Sequence, residues 1–396
     1  MNRRRQVLLG IAGLALVHTA RAQPKGAPIR VGASMALTGP LAATTLVHRV
    51  VAQIMVEHVN RKGGILDRPV EWTLLDDQSK PELTRSLYER LISLDKVDLI
   101  LAPYGTAAIL AAMPVAQRHG KLLIQGTFGL PHLANYDMQF PASPIGPAPN
   151  KTVPALLLDF LATSPTPPKS MVIVTSKFPS GHFISSGMRD LASARGLKVA
   201  LYLEYEFGTR DFGAIAARIK EANADFLWIG SLGLESNQLI AAMKSLDYMP
   251  KRHFHLFAAP GPLALSPDGQ HALGYSFFEE HSPYTSRPGV QDILPLWREQ
   301  AKAAGIHYPF FDFQAAAMGT MWQMLEAAAK GAKSLDDKKM AAWLKANTVE
   351  TMMGRLSFNG PNNHGTDGSA IRQVIDKRWT VVWPKEVAAP GVTPVI

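Results

Sequence analysis

Short runs of apolar and β-branched residues alternate with longer amphipathic stretches along most of this chain. The first such run is Ile29–Ala33, and the stretch Thr44–Asn60 that follows it has its apolar residues at helical spacing. Strands that alternate with helices are typical of right-handed βαβ crossovers and parallel sheets. The pattern therefore predicts an α/β protein.

The predicted elements fall into two sets, separated by the proline-rich stretch Pro141–Pro154. Strands of the first set are predicted at Ile29–Ala33, Val70–Asp76, Val97–Leu101 and Leu122–Gln125. Strands of the second set are predicted at Met171–Thr175, Val199–Tyr205, Phe226–Ile229, His253–Phe257 and Tyr275–Phe278. Two sets of this kind predict two doubly wound parallel-sheet lobes. Ile293–Ala346 is predicted as a long helical stretch, and Arg355–Phe358 and Ala370–Trp383 as the last strands.

Residues 1–22 have the order of an export signal peptide. Arg3–Arg5 form a basic start, Val7–Val17 an apolar run, and Ala20–Ala22 a small-x-small cleavage pattern. The apolar run is too short to span a bilayer, which disfavours the alternative of an uncleaved anchor. Arg4 and Arg5 also fit a twin-arginine signal. The sequence thus predicts a periplasmic protein that is exported by the Sec or the twin-arginine route.

Composition excludes several classes of function. The net charge is +9, but four of the arginines lie in the export signal, and no dense basic run is interleaved with aromatic residues. We therefore expect no binding of nucleic acid. The 396 residues include no cysteine, which excludes thiol nucleophiles, zinc–thiolate sites and iron–sulfur clusters.

Sequence motifs for catalysis or cofactor binding are missing as well. Gly-x-Ser-x-Gly, phosphate-loop and dinucleotide-binding patterns are all absent from the sequence, so an exported hydrolase is disfavoured and no cofactor is expected. His253 and His255 share one face of a predicted strand, but no third metal ligand is suggested nearby, so we expect no metal site. The sequence predicts a protein that is not an enzyme.

Five loops follow predicted strands, at the positions where open parallel sheets bind ligands. Gly105 and Thr106 begin a predicted helix, whose first N–H groups and dipole favour an anion. Thr106 either lends its hydroxyl group to a carboxylate or acts as a helix cap, and the sequence leaves both roles open.

Six segments resemble, in the same order, the motifs of the periplasmic Leu/Ile/Val-type solute-binding proteins of ABC importers. They are Val31–Pro40, Asn60–Leu66, Asp76–Pro81, Arg210–Phe212, Met318–Lys330 and Gly354–Phe358. The resemblance covers nearly the whole chain after the export signal. It implies the type I periplasmic binding protein fold.

In that fold, two α/β lobes are joined by three crossover strands, and a ligand cleft lies between the lobes. The resemblance implies crossovers near Gly146–Pro154, Phe277–Pro283 and Thr351–Leu356. One lobe is then expected to comprise residues 28–147 and 282–352, and the other residues 148–281 and 353–396. We expect a monomer that closes around a solute and delivers it to an ABC permease in the inner membrane. A ligand-sensing receptor of the same fold that is not coupled to transport is the alternative.

The resemblance also implies the residues of the pocket. The loop that holds the ligand carboxylate corresponds to Tyr104, Gly105 and Thr106, and its partner loop to Thr127, Phe128 and Gly129. Relatives usually carry a hydroxyl residue at the position of Gly129. In the second lobe, aromatic residues that cover the ligand correspond to Ser180, which has Phe178 close by, and to Leu232.

The remaining position of the pocket departs from the family pattern. The acidic residue that holds the ammonium group of an amino acid corresponds to Pro260, with no Asp or Glu beside it. A buried ammonium group without a counter-charge is costly. A small carboxylate without an amino group, aromatic or aliphatic, is therefore one expectation. The other is that Glu235 or Glu280 supplies the charge and that the ligand is an ordinary amino acid.

Overall fold

A computed structural model of the chain describes residues 25–396. The export-signal prediction for residues 1–22 falls outside the described residues. The first group of elements is β1 (Ile29–Met35), α1 (Ala42–Arg61), β2 (Val70–Asp76), α2 (Pro81–Ser93), β3 (Leu99–Ile100), α3 (Thr106–Arg118), β4 (Leu123–Gln125) and β5 (Gln139–Pro141).

The second group begins with a helix inside the proline-rich stretch. It comprises α4 (Pro149–Ala162), β6 (Ser170–Ser176), α5 (Pro179–Ala194), β7 (Lys198–Tyr205), α6 (Gly213–Ala222), β8 (Phe226–Gly233), α7 (Glu235–Lys244), β9 (His253–Ala258), α8 (Pro260–Leu265) and β10 (Leu273–Ser276). The last elements are α9 (Val290–Ala303), α10 (Phe313–Ala332), α11 (Asp337–Ala346), β11 (Val349–Thr351), β12 (Gly354–Leu356), β13 (Ala370–Ile375) and β14 (Arg378–Trp383).

The strands of the first group form a parallel sheet. β1 pairs with β2 on one side and β3 on the other, and Leu101 continues the sheet by bridging to Ile124 in β4. β4 in turn pairs with β5. Six of the seven residues of β1 are buried. This is expected for a strand that is covered on both faces by helices.

The second sheet has seven strands in the order β14-β13-β10-β9-β8-β6-β7. Its strands from β6 to β10 are parallel, as predicted, but β13 is antiparallel to β10 and β14 to β13. The stretch Ala370–Trp383, predicted as one strand, is a hairpin. Asp376 and Lys377 at its turn both have positive φ, 51° and 62°, as a tight two-residue hairpin turn requires.

The long helical stretch predicted at Ile293–Ala346 consists of three helices, α9 to α11. α9 ends before Gly305, whose φ is 76°. Asp312 and Asp336 then cap α10 and α11 by accepting hydrogen bonds from backbone N–H groups of their first turns. α9 and α10 both pack on α1, so the chain returns here to the first lobe.

Two passages between the sheets lie side by side. Ile145 bridges to Asp367, the Gly146 N–H donates to the Thr366 carbonyl at 3.0 Å, and the Gly368 N–H donates to the Pro144 carbonyl at 2.8 Å. The segment Thr351–Leu356 forms the turn and second strand of the β11–β12 hairpin, and β11 packs on α10. None of the helices between residues 25 and 396 has the length and hydropathy that crossing a bilayer requires.

Two histidines of β9 belong to a buried chain of hydrogen bonds in the second lobe. His253 Nδ1 lies 2.7 Å from His255 Nε2, and His255 Nδ1 lies 2.9 Å from Ser236 Oγ. Ser236 Oγ is 2.5 Å from Ser231 Oγ. Two neutral imidazoles satisfy this chain with one proton in each bond. Within the described residues, no group of three or more side chains with metal-ligand chemistry gathers here or elsewhere.

We expect these histidines to make stability depend on pH. Burial lowers the pKa of His253 from 6.5 to about 4 and lowers that of His255 further. Between these values the unfolded chain binds protons that the folded chain does not, so the free energy of unfolding falls as the pH falls from about 6.5 towards 4. The loss approaches roughly 1.4 kcal/mol per pH unit for each histidine.

Urea unfolding of wild type and His253→Gln at pH 7, 6 and 5 measures this contribution. The variant should lose less stability on acidification than wild type, because glutamine keeps hydrogen-bonding groups but does not titrate in this range. His132→Gln, at an exposed position, should follow the wild-type curve. Parallel curves for wild type and His253→Gln would contradict the prediction.

Candidate ligand-binding cleft

Loops from the carboxyl ends of strands in both sheets line one cavity, whose volume of about 480 Å³ includes open solvent at its mouth. Eight of the ten residues proposed from the sequence line it. They are Tyr104, Gly105, Thr127, Phe128, Gly129, Phe178, Ser180 and Leu232. The other two, Thr106 and Pro260, do not line this cavity.

The first-lobe wall is built from two loops that are tied to each other. Gly105, with a φ of 87°, precedes α3, and its N–H donates to Thr127 Oγ1 at 2.8 Å. In the opposite direction, the Gly129 N–H donates to Thr106 Oγ1 at 3.0 Å. The side chain of Thr106 is therefore fully buried behind the wall, where it positions the Thr127–Gly129 loop.

Thr127 is the hydroxyl residue of this wall that reaches the cavity. Its Oγ1 accepts the Gly105 N–H, and a hydroxyl group that accepts one bond still has a hydrogen to donate. Gly105, the residue just before α3, also lines the cavity, and the first N–H groups of a helix have no acceptor within their own helix. This corner of the cavity therefore suits an anionic oxygen.

The second-lobe wall comes from the start of α5 and the end of β8. Phe178 and Ser180 lie at the first residues of α5. Leu232 follows an irregularity in the pairing of β8 with β9, between Ile229 and Leu232. Such irregularities re-aim side chains at the edge of a site, and here Leu232 faces the cleft.

The two walls touch each other through apolar side chains. Ala36, Leu41 and Tyr104 of the first lobe form one buried cluster with Phe178 and Leu232 of the second. Each of these five residues is at most 6% exposed. The lobes are thus closed over the cavity, and water is excluded from most of its rim.

Gly129 and Ser180 make the closest approach between the lobes. A Cβ atom placed on Gly129 would lie 2.4 Å from the Cβ of Ser180, closer than two carbon atoms can approach. Position 129, for which the resemblance implies a hydroxyl residue, therefore has no room for a side chain while the lobes are in contact. The glycine is required by the close contact of the lobes.

No Asp, Glu, Lys or Arg of the described chain lines this cavity. Its polar lining groups belong to Thr127, Ser143, Ser180, Gln314 and Tyr104, and burial raises the pKa of the Tyr104 phenol, which keeps it neutral. The cavity is accordingly uncharged and mostly apolar.

The two acids that the sequence offered as counter-charges are engaged elsewhere. Glu235 accepts hydrogen bonds from the N–H groups of Leu232 and Gly208 and from the Tyr205 hydroxyl, each at 3.1 Å. Glu280 pairs with Arg298 and accepts the Phe311 N–H at 2.7 Å. Neither carboxylate lines the cavity.

Sequence reasoning missed the residues of the rear wall, which are Ser143, Ile145, Phe257, Phe277, Phe313 and Gln314. Gln314 Oε1 lies 3.0 Å from His48 Nε2, and burial lowers the pKa of His48 to about 4, so its neutral ring donates this bond. The sequence did hold one indication of Phe313 and Gln314. Asp312 is a residue type that caps helices, and it follows an aromatic segment, so a helix could be expected to begin at Phe313.

Pro260 lines a second cavity, with about 820 Å³ of empty space, on the other side of Gln314. The Pro260 carbonyl accepts the Trp379 Nε1–H at 2.9 Å. Phe257, three residues earlier, is the member of this loop that faces the first cavity.

Comparison with known proteins gives one consistent family. A family model described as "Periplasmic binding protein" matches residues 28–378. The Leu/Ile/Val-binding protein of Escherichia coli (strain K12) is 22% identical over 359 residues, which are 89% of this chain and 91% of the relative.

Solved structures show the same fold. A solute-binding protein of an ABC transporter from R. palustris, in complex with benzoate, has a TM-score of 0.74 at 17% identity, over 93% of this chain and 99% of that chain. A leucine-binding protein from Thermotoga maritima has a TM-score of 0.73 at 18% identity, over 91% of this chain and 99% of that chain.

The approach of Gly129 to Ser180 predicts a pair of compensating variants. Gly129→Ala should weaken ligand binding about tenfold or more, because the added methyl group overlaps Ser180 in the closed form. Adding Ser180→Gly should restore most of the affinity by removing the Cβ atom that is struck. Isothermal titration calorimetry with a ligand that binds the wild-type protein measures both affinities.

Gly213→Ala is the matched control, since a Cβ atom there would meet little besides the end of the Asp211 side chain. It should leave binding unchanged. If Gly129→Ala bound the ligand as tightly as wild type, or if Ser180→Gly did not restore the affinity of Gly129→Ala, the contact between these residues would not determine how closely the lobes approach.

Proposed function

The chain belongs to the periplasmic binding protein family, and from this premise we propose that it captures a small carboxylate without an amino group. The lobes close around this ligand and present it to the permease of an ABC transporter. The family is one of binding proteins, not of enzymes. The observation that carries the proposal is the uncharged lining of the cavity, with hydroxyl groups at one corner and aromatic rings around the remainder.

Charge complementarity separates the proposed ligand from an α-amino acid. An ammonium group in this cavity would be buried without an acidic partner from the described residues, which is costly. A carboxylate has suitable partners in the Thr127 hydroxyl and the first N–H groups of α3. The cavity therefore offers polar partners for a carboxylate group of the ligand but none for an ammonium group.

The body of the ligand meets mainly rings. Phe128, Phe178, Phe257, Phe277 and Phe313 line the cavity together with Tyr104. Aromatic side chains of this density suit a flat ring or an aliphatic body of similar width. Two of the structural neighbours were solved with benzoate and with 4-hydroxybenzoate, which supports this ligand class at the level of the shared fold.

Delivery to the permease depends on a difference in ligand contacts between the open and closed forms of the protein. A ligand that contacts both walls stabilises the closed form by the contacts that the open form lacks. We propose that the protein is exported by residues 1–22, acts in the periplasm as a monomer, and is recognised by its permease in the closed form.

Ligand class is the first test of this proposal. Benzoate, phenylacetate and cyclohexanecarboxylate should raise the midpoint of thermal unfolding, by an amount that grows with the logarithm of the affinity, because each binds the folded state alone. Leucine, phenylalanine, benzamide and benzylamine should have little effect, since they add an ammonium group or lack the carboxylate. Tighter binding of leucine than of every simple carboxylate, measured by titration calorimetry, would refute the proposed class.

Thr127 provides the second test. Thr127→Val removes the hydroxyl donor but keeps the shape of the side chain, so benzoate affinity should fall roughly ten- to a hundredfold, as for a lost hydrogen bond to a charged group. Thr163→Val, at the exposed end of α4, is the same substitution away from the cleft and should change nothing. Equal affinities of Thr127→Val and wild type would show that the carboxylate lies elsewhere.

A further inference from the structure

The second cavity lies at the same boundary between the lobes as the first. One side of it is formed by α1, through Thr44, Leu46 and Val47, and the other by the start of α8 and Leu265. Trp297 and residues 305–308 complete a lining that is mainly apolar. With about 820 Å³ of empty space, it is larger than the first cavity.

One side chain separates the two cavities. Gln314 lines both of them and is 3% exposed. Its Oε1 is held by His48, whose ring packs edge-on against the ring of Tyr104 at 4.8 Å. The two cavities thus meet at Gln314, and a ligand that reaches from one to the other has to displace or pass this side chain.

The acid that is missing from the first cavity lies in the second. Asp312 is 3% exposed, and its Oδ1 accepts the N–H groups of Gln314 and Ala315 at 2.9 and 3.1 Å. Its other carboxylate oxygen receives no hydrogen bond from another of residues 25–396. This oxygen stays accessible from the second cavity, so it can accept a hydrogen bond from a donor group of a ligand there.

The charges around Asp312 decide which donor fits. Burial raises the pKa of Asp312 to about 6, so the group is mostly ionised at neutral pH, and the positive charge of the nearby Arg372 lowers that pKa in part. Arg372, which is hydrogen-bonded to the buried Glu279 at 2.7 Å, already supplies a positive charge near Asp312, so a neutral hydroxyl group can donate to Asp312 without bringing a further charge into this buried region. The favoured donor is a hydroxyl group on an otherwise apolar body.

We propose that the two cavities are compartments of a single ligand site, and that the natural ligand is an elongated carboxylate with a hydroxyl group at its far end. The carboxylate and the atoms next to it occupy the first cavity. The distal part occupies the second, where its hydroxyl group donates to Asp312. This inference rests on the proposed function, since it takes the carboxylate end from there.

Affinity as a function of ligand length tests the inference in the wild-type protein. Benzoate, phenylpropanoate, phenylpentanoate and para-hydroxyphenylpentanoate form a suitable series for titration calorimetry. Each methylene group that becomes buried should tighten binding about fourfold, and the hydroxyl group should add up to about tenfold. Affinity that stays flat or falls with length, while benzoate binds, would overturn the inference and leave the proposed function intact. Binding of none of the four would refute both.

Filling the second cavity provides an independent test. Val47 lies partly buried on α1 and lines only the second cavity. Val47→Trp should weaken binding of para-hydroxyphenylpentanoate at least tenfold and leave benzoate binding within twofold of wild type. Ile92→Trp, a β-branched and partly buried residue at the end of α2, is the matched control and should alter neither.

Asp312→Asn tests the terminal hydroxyl group. Asparagine keeps the cap of α10 but puts an amide donor where the second carboxylate oxygen was. The ratio of the affinities for para-hydroxyphenylpentanoate and phenylpentanoate should therefore fall, because the hydroxyl group loses a charged acceptor and meets a neutral amide instead. A ratio unchanged from wild type, or equal losses for benzoate and the long ligand in Val47→Trp, would overturn the assignment.

Discussion

The apolar contact between the lobes is the interaction on which the rest of the structure depends. Leu41 and Tyr104 meet Phe178 and Leu232 across the cleft, and their burial removes apolar surface from water, which favours the closed form. Closure also removes water from the cavity walls. Every polar group in those walls must then find its partner in the protein or in the ligand.

The first-lobe wall meets this requirement by pairing its loops with each other. Thr106 and Thr127 exchange hydrogen bonds with the opposite loop, so neither loop depends on a ligand for its conformation. What the wall offers to a ligand is one hydroxyl hydrogen and the start of α3. A site prepared in this way loses little conformational entropy when it binds. The site selects against ligands with a positive charge, because it has no acidic group to neutralise one.

A buried pair of charged groups lies behind the first cavity. Arg372 of β13 pairs with Glu279 at 2.7 Å, with both side chains buried, and burial raises the pKa of Glu279. The guanidinium group also lies over the rings of Phe313 and Trp379. Phe313 lines the first cavity, so the aromatic floor is supported by a buried ion pair that the ligand does not touch.

The sequence by itself determined the alternation of strands and helices, because apolar periodicity along the chain reports local structure directly. It also indicated loops that could form a ligand site, since loops that follow parallel strands share one edge of a sheet. It missed α4, whose Pro149 and Pro154 are typical of loops, although Pro149 lies in the first turn, where a missing N–H costs nothing. Only the tertiary structure decided that Thr127 faces the cavity while Thr106 lies behind it, that Pro260 lines the second cavity, and that Gln314 separates the two. These outcomes depend on contacts between residues that are far apart in the chain, and local sequence does not encode the direction in which a loop side chain points.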